Sequence, residues 1–384
     1  MLVSCLLSTP FGFGATAAEI NGVTNGKIVF GATLPMTGPI ADVGLASLHG
    51  GMAYFNDINA KGGVHGRKIE WIVEDDAYQP PRALAGARKL IESDKVFALF
   101  SSSGTNSSLA VLPYVKSKKI PWLFPYAGAK QFIEPVSPYV FGLFPNYEWQ
   151  IATITEYLIK KKGAKHVAFV FANTLDNKVG VDAGVEVLKR NGLEPAAVVS
   201  YERGTSDFSS TILTLQNAKP DFIVESTTTT DVARLIQEGA ARQFKPQWAG
   251  TATAMDPMLV RLIGDQAEGI IGTSPTVPPG SDEAAVVEFR ESLKRSYPGD
   301  IPSAFNMYMY SAAKLLVHAL ELAGPDLTQE KLVAALESLR NYETGYMAPA
   351  TYTPTNHMSS DRMLIVEFRK GQLETTASWT GAND

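Results

Sequence analysis

Residues 27–74 decide the fold: KIVFGATL (Lys27–Leu34), PMTGPIADVGLA, SLHGGMAYFNDIN (Ser47–Asn59), AKGGVHGR and KIEWIVE (Lys68–Glu74). Lys27–Leu34 is a β-branched and apolar run of strand length. Ser47–Asn59 has apolar residues at helical spacing, and Lys61-Gly62-Gly63 stops it. Lys68–Glu74 alternates like a second strand. Strand, helix and strand in that order require a crossover, so the two strands are parallel and buried on both faces.

Working outward, the rhythm continues. Pro81–Ser93 is predicted as a helix with proline in its first turn. Val96–Phe100 and Ile120–Phe124 read as short buried strands around a helix over Ser108–Lys116. A second series follows Pro145, with strands at His166–Phe171, Ala196–Ser200, Asp221–Glu225, Gln247–Gly250 and Gly269–Thr273. Its helices are expected over Trp149–Lys162, Val179–Asn191, Phe208–Asn217 and Asp231–Ala241. Three helices then come in a row, at Glu283–Tyr297, Ala304–Leu322 and Leu327–Ser338. Met363–Arg369 and Leu373–Ser378 read as a hairpin around Lys370-Gly371. Two such series predict an α/β protein of two doubly wound parallel-sheet lobes.

Composition narrows the function. The chain has 384 residues, 45% hydrophobic and 19% charged, with a net charge of −5. That composition excludes intrinsic disorder, and an acidic chain without a basic run is a poor nucleic-acid ligand. Cys5 is the one cysteine, so a disulfide framework and a zinc ribbon are excluded. No cofactor is expected. Residues 1–18 are uncharged and lead to Ala15, Ala17 and Ala18, the small-residue pattern of a signal-peptidase site, although a basic start is missing. Export to the periplasm is therefore expected. Leu2-Val3-Ser4-Cys5 also fits a lipoprotein box. No run of about 18 apolar residues follows, so no spanning helix is expected.

Ligands of open parallel sheets sit beyond the carboxyl ends of the strands. Four strand-to-helix turns there are small or hydroxyl-rich: Ser101–Asn106, Tyr126-Ala127-Gly128, Thr227–Thr230 and Gly250–Thr253. Hydroxyls beside free N–H groups at helix starts can hold a carboxylate, and they can equally be plain caps. Catalytic signatures are weak. His49, His65, His166, His318 and His357 stand far apart without metal-ligand spacing. The Ser101–Ser103 run has no triad partner nearby. Glu74-Asp75-Asp76 reads as strand-end carboxylates. No catalytic and no metal residue is assigned, and no enzyme is expected.

Gly31-Ala32-Thr33-Leu34-Pro35-Met36-Thr37-Gly38-Pro39 and Phe55–Gly66 (FNDINAKGGVHG), with Glu74-Asp75-Asp76, Ser101–Ser108, Ile120-Pro121 and Asp265–Gly269, resemble a bacterial solute-binding protein. The family is the Leu/Ile/Val-binding-protein-like group of ABC transporters. The resemblance spans roughly Lys27 to Ser378. It implies a type I periplasmic-binding fold with two lobes joined by a three-strand hinge. Lobe one would hold 27–144 and 275–345, and lobe two 146–273 and 352–384. The passages would lie near Phe144–Asn146, near Ser274-Pro275 and between Gly345 and Tyr352. The implied activity is capture of a small solute between closing lobes and delivery to an ABC permease, with the protein expected as a monomer.

By the same resemblance the ligand's carboxylate would meet Ser102, Ser103, Thr105, Ala127 and Gly128. The family's usual threonine is replaced by Gly128. Its Tyr-Gly pair after the first strand is Val43-Gly44 here, and the pair expected in lobe two falls on Val179-Gly180. The acidic residue that would read an ammonium is missing from Thr251–Thr253. Asp256 and Glu225 are the nearest carboxylates. Thr227, Thr228, Thr251 and Thr253 are the expected lobe-two contacts. Tyr126, Tyr147 and Phe171 are the aromatics expected near the ligand. A buried ammonium without a carboxylate costs several kcal/mol. A non-amino-acid organic acid, in one version aromatic, is therefore the first expectation. A branched-chain or other apolar amino acid is the alternative, as is a sensing receptor of the same fold.

Overall fold

Seven of the eight residues of β1 (Lys27–Leu34) are buried, because the strand lies inside its sheet with helices on both faces. The computed structural model describes residues 20–381; the expected signal peptide lies outside them. β1 pairs in parallel with β2 (Lys68–Asp75) and β3 (Ala98–Phe100). β4 (Trp122–Leu123) and β5 (Val140–Phe141) complete a parallel five-stranded sheet in the order β2-β1-β3-β4-β5.

The second sheet has seven strands. β6 (Val167–Ala172), β7 (Ala197–Tyr201), β8 (Phe222–Ser226), β9 (Gln247–Gly250) and β10 (Ile271–Ser274) are parallel. β11 (Met363–Arg369) and β12 (Gln372–Thr380) add an antiparallel edge. The turn between them is Lys370-Gly371, both with positive φ (50° and 72°), as a two-residue hairpin of primed type requires.

The helices follow the sequence rhythm with shifted ends. α1 (Ala41–Ala60) starts six residues before the expected Ser47, since Gly38-Pro39 and Gly44 mask the helical signal. α2 (Pro80–Arg88) continues as a π turn to Ser93. α3 (Thr105–Lys118), α4 (Tyr147–Tyr157) and α5 (Leu175–Arg190) also start earlier than expected. α6 (Ser209–Ala218) and α7 (Thr229–Ala241) lie close to expectation. α8 (Pro257–Ile263), capped by Asp256, has no counterpart in the sequence reading. α9 (Ala284–Ser296), α10 (Ala304–Ala323) and α11 (Gln329–Glu337) form the expected run of three.

Apolar clusters line both faces of each sheet. α9 to α11 pack with β1 and α1, so the chain returns to lobe one after β10. It stays there longer than the resemblance implies. Tyr352 is fully buried among lobe-one residues. Its ring centre is 5.5 Å from that of Phe141, and its hydroxyl donates to the Gly142 carbonyl at 2.9 Å. Met358 pairs with Gly142. The third passage therefore follows Met358 and reaches the second sheet at Met363, not between Gly345 and Tyr352. Tight aromatic packing holds the 345–358 segment where its sequence looks like a linker.

Candidate functional site

The carboxyl ends of the two parallel sheets face each other across a cleft of about 670 Å³, part of it open to solvent. Lobe one contributes Ile40, Val43, Tyr78, Gly104, Thr105, Tyr126 and Phe305. Tyr147 at the first turn of α4, Asp176, Asn177, Arg203, Thr227–Thr230 and Thr253 form the opposite wall. Every loop that reaches it from a parallel strand leaves that strand's carboxyl end, as open α/β sheets require.

Tyr78 sits on a constrained turn. Ala77 and Tyr78 both have positive φ (48° and 58°), which costs non-glycine residues about 1–3 kcal/mol each. Two carboxylates hold the turn. Asp75 Oδ1 accepts from the Ala77 amide at 2.9 Å and Asp76 Oδ1 from the Tyr78 amide at 2.7 Å. Asp75 also accepts from the Met36 and Thr37 amides, tying the loop after β1 to the loop after β2. Burial pushes the Asp75 carboxyl up, but bonds from Thr37, Ala77 and Met36 outweigh it and hold the group below its ordinary value. Burial dominates at Asp76 and pushes it up to about 6 against the Tyr78 amide. The Glu74-Asp75-Asp76 run thus builds a loop that presents Tyr78.

Two glycines make room for two tyrosines. A Cβ on Gly104, whose φ is +97°, would stand 2.3 Å from the Tyr78 ring. A Cβ on Gly128 would stand 2.7 Å from the Tyr147 ring. The threonine that the resemblance expects at 128 is excluded because Tyr147 occupies its space. Tyr126 closes the floor of lobe one, with ring centres 4.3 Å from Phe144 and 4.7 Å from Tyr308.

On the lobe-two wall most hydroxyls are already engaged. Thr227 Oγ1 contacts the Tyr201 hydroxyl and lies 3.3 Å from Asp231. Thr228 caps α7 by accepting from the Asp231 amide. Thr229 donates to the Thr253 carbonyl, and Thr253 donates to the Thr227 carbonyl. Of these, Thr228 is a helix cap; the others are tied to neighbouring side chains and carbonyls, and together they fix the shape of the wall. Arg203, on the loop after β7, reaches over the Tyr78 ring at 5.0 Å from its centre. Among the described residues it is the one lysine or arginine lining the cleft.

Six residues singled out in the sequence line the cleft: Thr105, Tyr126, Tyr147, Thr227, Thr228 and Thr253. The others do not line it. Ser102 is bonded to Ser108 and Ser103 to Ser47, both fully buried. Ala127 packs in a lobe-one apolar cluster. Phe171 packs with Phe169 in lobe two, two residues along the same strand face. Thr251 is buried, with its hydroxyl on Thr253. Gly128 lies under Tyr147 and lines a neighbouring hollow of about 320 Å³ with Asp176 and Val179. Ile40, Asp42, Tyr78, Asp176, Asn177, Arg203 and Phe305 are wall residues that sequence reasoning passed over.

Both carboxylates considered for an ammonium turn away. Glu225 accepts from the Thr227 and Thr251 amides, each at 3.0 Å, and burial pushes its carboxyl up to about 8. Asp256 accepts from the Met258 amide of its own helix and, at 3.0 Å, from the Ala304 amide of lobe one. The cleft-facing carboxylates are Asp42 and Asp176. The histidines do not gather: His49 pairs with Asp300 at 2.7 Å, and His357 with Glu337 at 3.1 Å.

Comparison with known proteins matches this architecture. The model of the periplasmic binding protein family covers residues 27–372. A Leu/Ile/Val-binding protein homolog 7 of Brucella abortus is 24% identical over 368 residues, covering 91% of this chain and 90% of the relative. A fatty acid ABC transporter substrate-binding protein from Thermomonospora curvata superposes with a TM-score of 0.86 at 23% identity, over 95% of each chain. A branched chain amino acid ABC transporter protein from Thermus thermophilus, with bound valine, gives 0.85 at 19% identity, over 94% of this chain and 97% of that one. With two parallel-sheet lobes facing across a cleft and a family match over most of its length, this chain belongs to the periplasmic binding protein family.

Proposed function

We propose that the chain is an extracytoplasmic solute-binding protein that works as a monomer. It traps a small carboxylate-bearing solute with an apolar, aromatic body between its lobes and presents it to an ABC permease. The observation that carries this reading is Arg203, set over Tyr78 from the opposite lobe. Arg203 is exposed at the cleft mouth; its guanidinium favours an anion there, and its fork suits a carboxylate. Tyr78, Tyr126, Tyr147 and Phe305 supply a wall on which a ring or branched chain can lie. The named ligand classes of the relatives, branched-chain amino acids and fatty acids, share a carboxylate on an apolar body. Closure follows if the ligand contacts both walls better when they are near.

An α-amino acid is the second reading, favoured by Asp176 on the same wall. A thermal-shift panel on the full chain separates the two. It would hold leucine, isoleucine, valine, phenylalanine, aliphatic acids, benzoate and cinnamate. A ligand at 100 times its Kd adds about 2.7 kcal/mol. Shifts with the aromatic acids are expected, and Arg203→Gln should weaken them about 10–100-fold, the worth of a charge-assisted bond. Shifts with amino acids alone would move the assignment to the second reading. No shift with any acid would overturn both.

A further inference from the structure

We propose that Asp176 is a specificity-determining residue, and that the bound acid carries an N–H or O–H donor for it besides its carboxylate. This rests on the carboxylate reading above. Asp176 lies in the first turn of α5 and lines the cleft. Its Oδ1 is buried and has no hydrogen-bond partner. A carboxylate near a helix start gains from the helix dipole, but that gain needs no burial of an oxygen. Leaving a buried acceptor unmet is costly, so such atoms are normally paired.

The neighbours on the same wall show what is left for a ligand to meet. The Asn177 amide is held in place, donating one N–H to the Ala172 carbonyl and accepting from Ser226. Thr227, Thr228 and Thr253 are engaged as described. Among the described residues neither Asp176 nor Arg203 makes an ion pair, and Asp176 is the negative neighbour that both Tyr78 and Tyr147 feel. The wall therefore offers one cation and one unmet acceptor, together fitting an acid with an amine, amide or hydroxyl group.

Matched acids that differ by one donor test this by calorimetry on the full chain: 3-phenylpropionate against phenylalanine, benzoate against 4-hydroxybenzoate, and cinnamate against 4-hydroxycinnamate. In at least one pair the donor-bearing member should bind tenfold or more tightly. That advantage should fall below threefold in Asp176→Ala, the plain acid keeping or gaining affinity as a like charge leaves the cleft. Asp176→Asn keeps the side-chain shape and serves if the alanine variant loses its unliganded melting transition. There an ammonium should lose more than a hydroxyl does. Equal binding within every pair, or an advantage that survives both substitutions, overturns the role of Asp176 and leaves the carboxylate reading standing. If no acid binds, the carboxylate reading falls and this inference falls with it.

Discussion

The two walls of the cleft are made of different chemistry. Lobe one presents mainly rings and aliphatic groups set in a packed core, with Tyr126 only 6% exposed, beside Thr105 and Asp42. Lobe two presents threonines and Asp176 at helix starts, Arg203 on a loop, and the Tyr147 ring. An apolar wall rewards coverage at about 25 cal/mol per Å² and is indifferent to orientation. A polar wall rewards only a ligand whose donors and acceptors match. Under the proposed function, lobe one would read shape and lobe two chemistry, and closure would couple the two because a solute must satisfy both to hold the lobes together.

If that division is right, damage to the lobe-one wall should appear first as lost stability. Tyr126→Ala is expected to cost about 3–5 kcal/mol, the range for truncating a large aromatic in a core. Urea unfolding of the unliganded protein measures it. A loss below about 1 kcal/mol would mean that Tyr126 belongs to the ligand and not to the core.

Glu225 tests whether the lobe-two wall is shaped by buried polar groups. Its folded value is raised to about 8, so its contribution is full below the ordinary glutamate range and fades as pH rises through about 8. Unfolding free energy should therefore fall between about pH 5 and pH 8. Glu225→Gln should flatten that slope. It should also cost about 1–3 kcal/mol at pH 5, since one of the Thr227 and Thr251 amides then loses its acceptor. A slope unchanged by the substitution would place the titration elsewhere.

Gly128 sharpens the comparison from the lobe-one side. Gly128→Ala drives a methyl into the Tyr147 ring, and overpacking of this kind costs about 1–3 kcal/mol. The ring must turn into the cleft, so affinity for any shifting ligand should drop about tenfold by calorimetry. Unchanged affinity would mean that Tyr147 is not a contact.

The same contrast explains what could be read from sequence. The alternating elements, the three late helices and the hairpin at Lys370-Gly371 follow from periodicity and turn chemistry, which are local. Placing contacts at strand ends found Thr105, Tyr126, Tyr147, Thr227, Thr228 and Thr253. Parity along β6 could have excluded Phe171, which shares a face with core Phe169. Tyr78 was hidden because its direction depends on two left-handed residues pinned by Asp75 and Asp76. Asp176 was hidden by a register error: α5 starts at Leu175, whereas the sequence reading began it at Val179. Arg203 lies on a loop without periodicity, and only the folded lobes bring it over Tyr78. The Tyr352 segment needed the aromatic packing around Phe141 to be placed.

The smallest expected effect lies where the walls meet outside the ligand. Asp256 caps α8 in lobe two, and its Oδ2 accepts from the first amide of α10 in lobe one. Opening the lobes returns that amide to water, so the bond favours closure more than folding. Asp256→Asn can keep the cap through its carbonyl oxygen, but it turns an N–H toward the Ala304 amide. Below about pH 6, where Asp256 is buried protonated, the substitution should shift the balance toward open by about 1 kcal/mol, the net worth of one hydrogen bond, or about fivefold. Solution scattering without ligand should then show a larger radius of gyration, and a shifting ligand should bind about fivefold more weakly. The unfolding midpoint should move little, because each lobe keeps its own core. Burial pushes Asp256 up to about 6, against the Met258 and Ala304 amides and with Asp42 adding to it. The carboxyl is thus easier to bury when protonated, and closure in the natural protein should weaken as pH rises through about 6. In Asp256→Asn that dependence should vanish. If it persists, the pH response belongs to the ligand site, and the lobes are held by the solute alone.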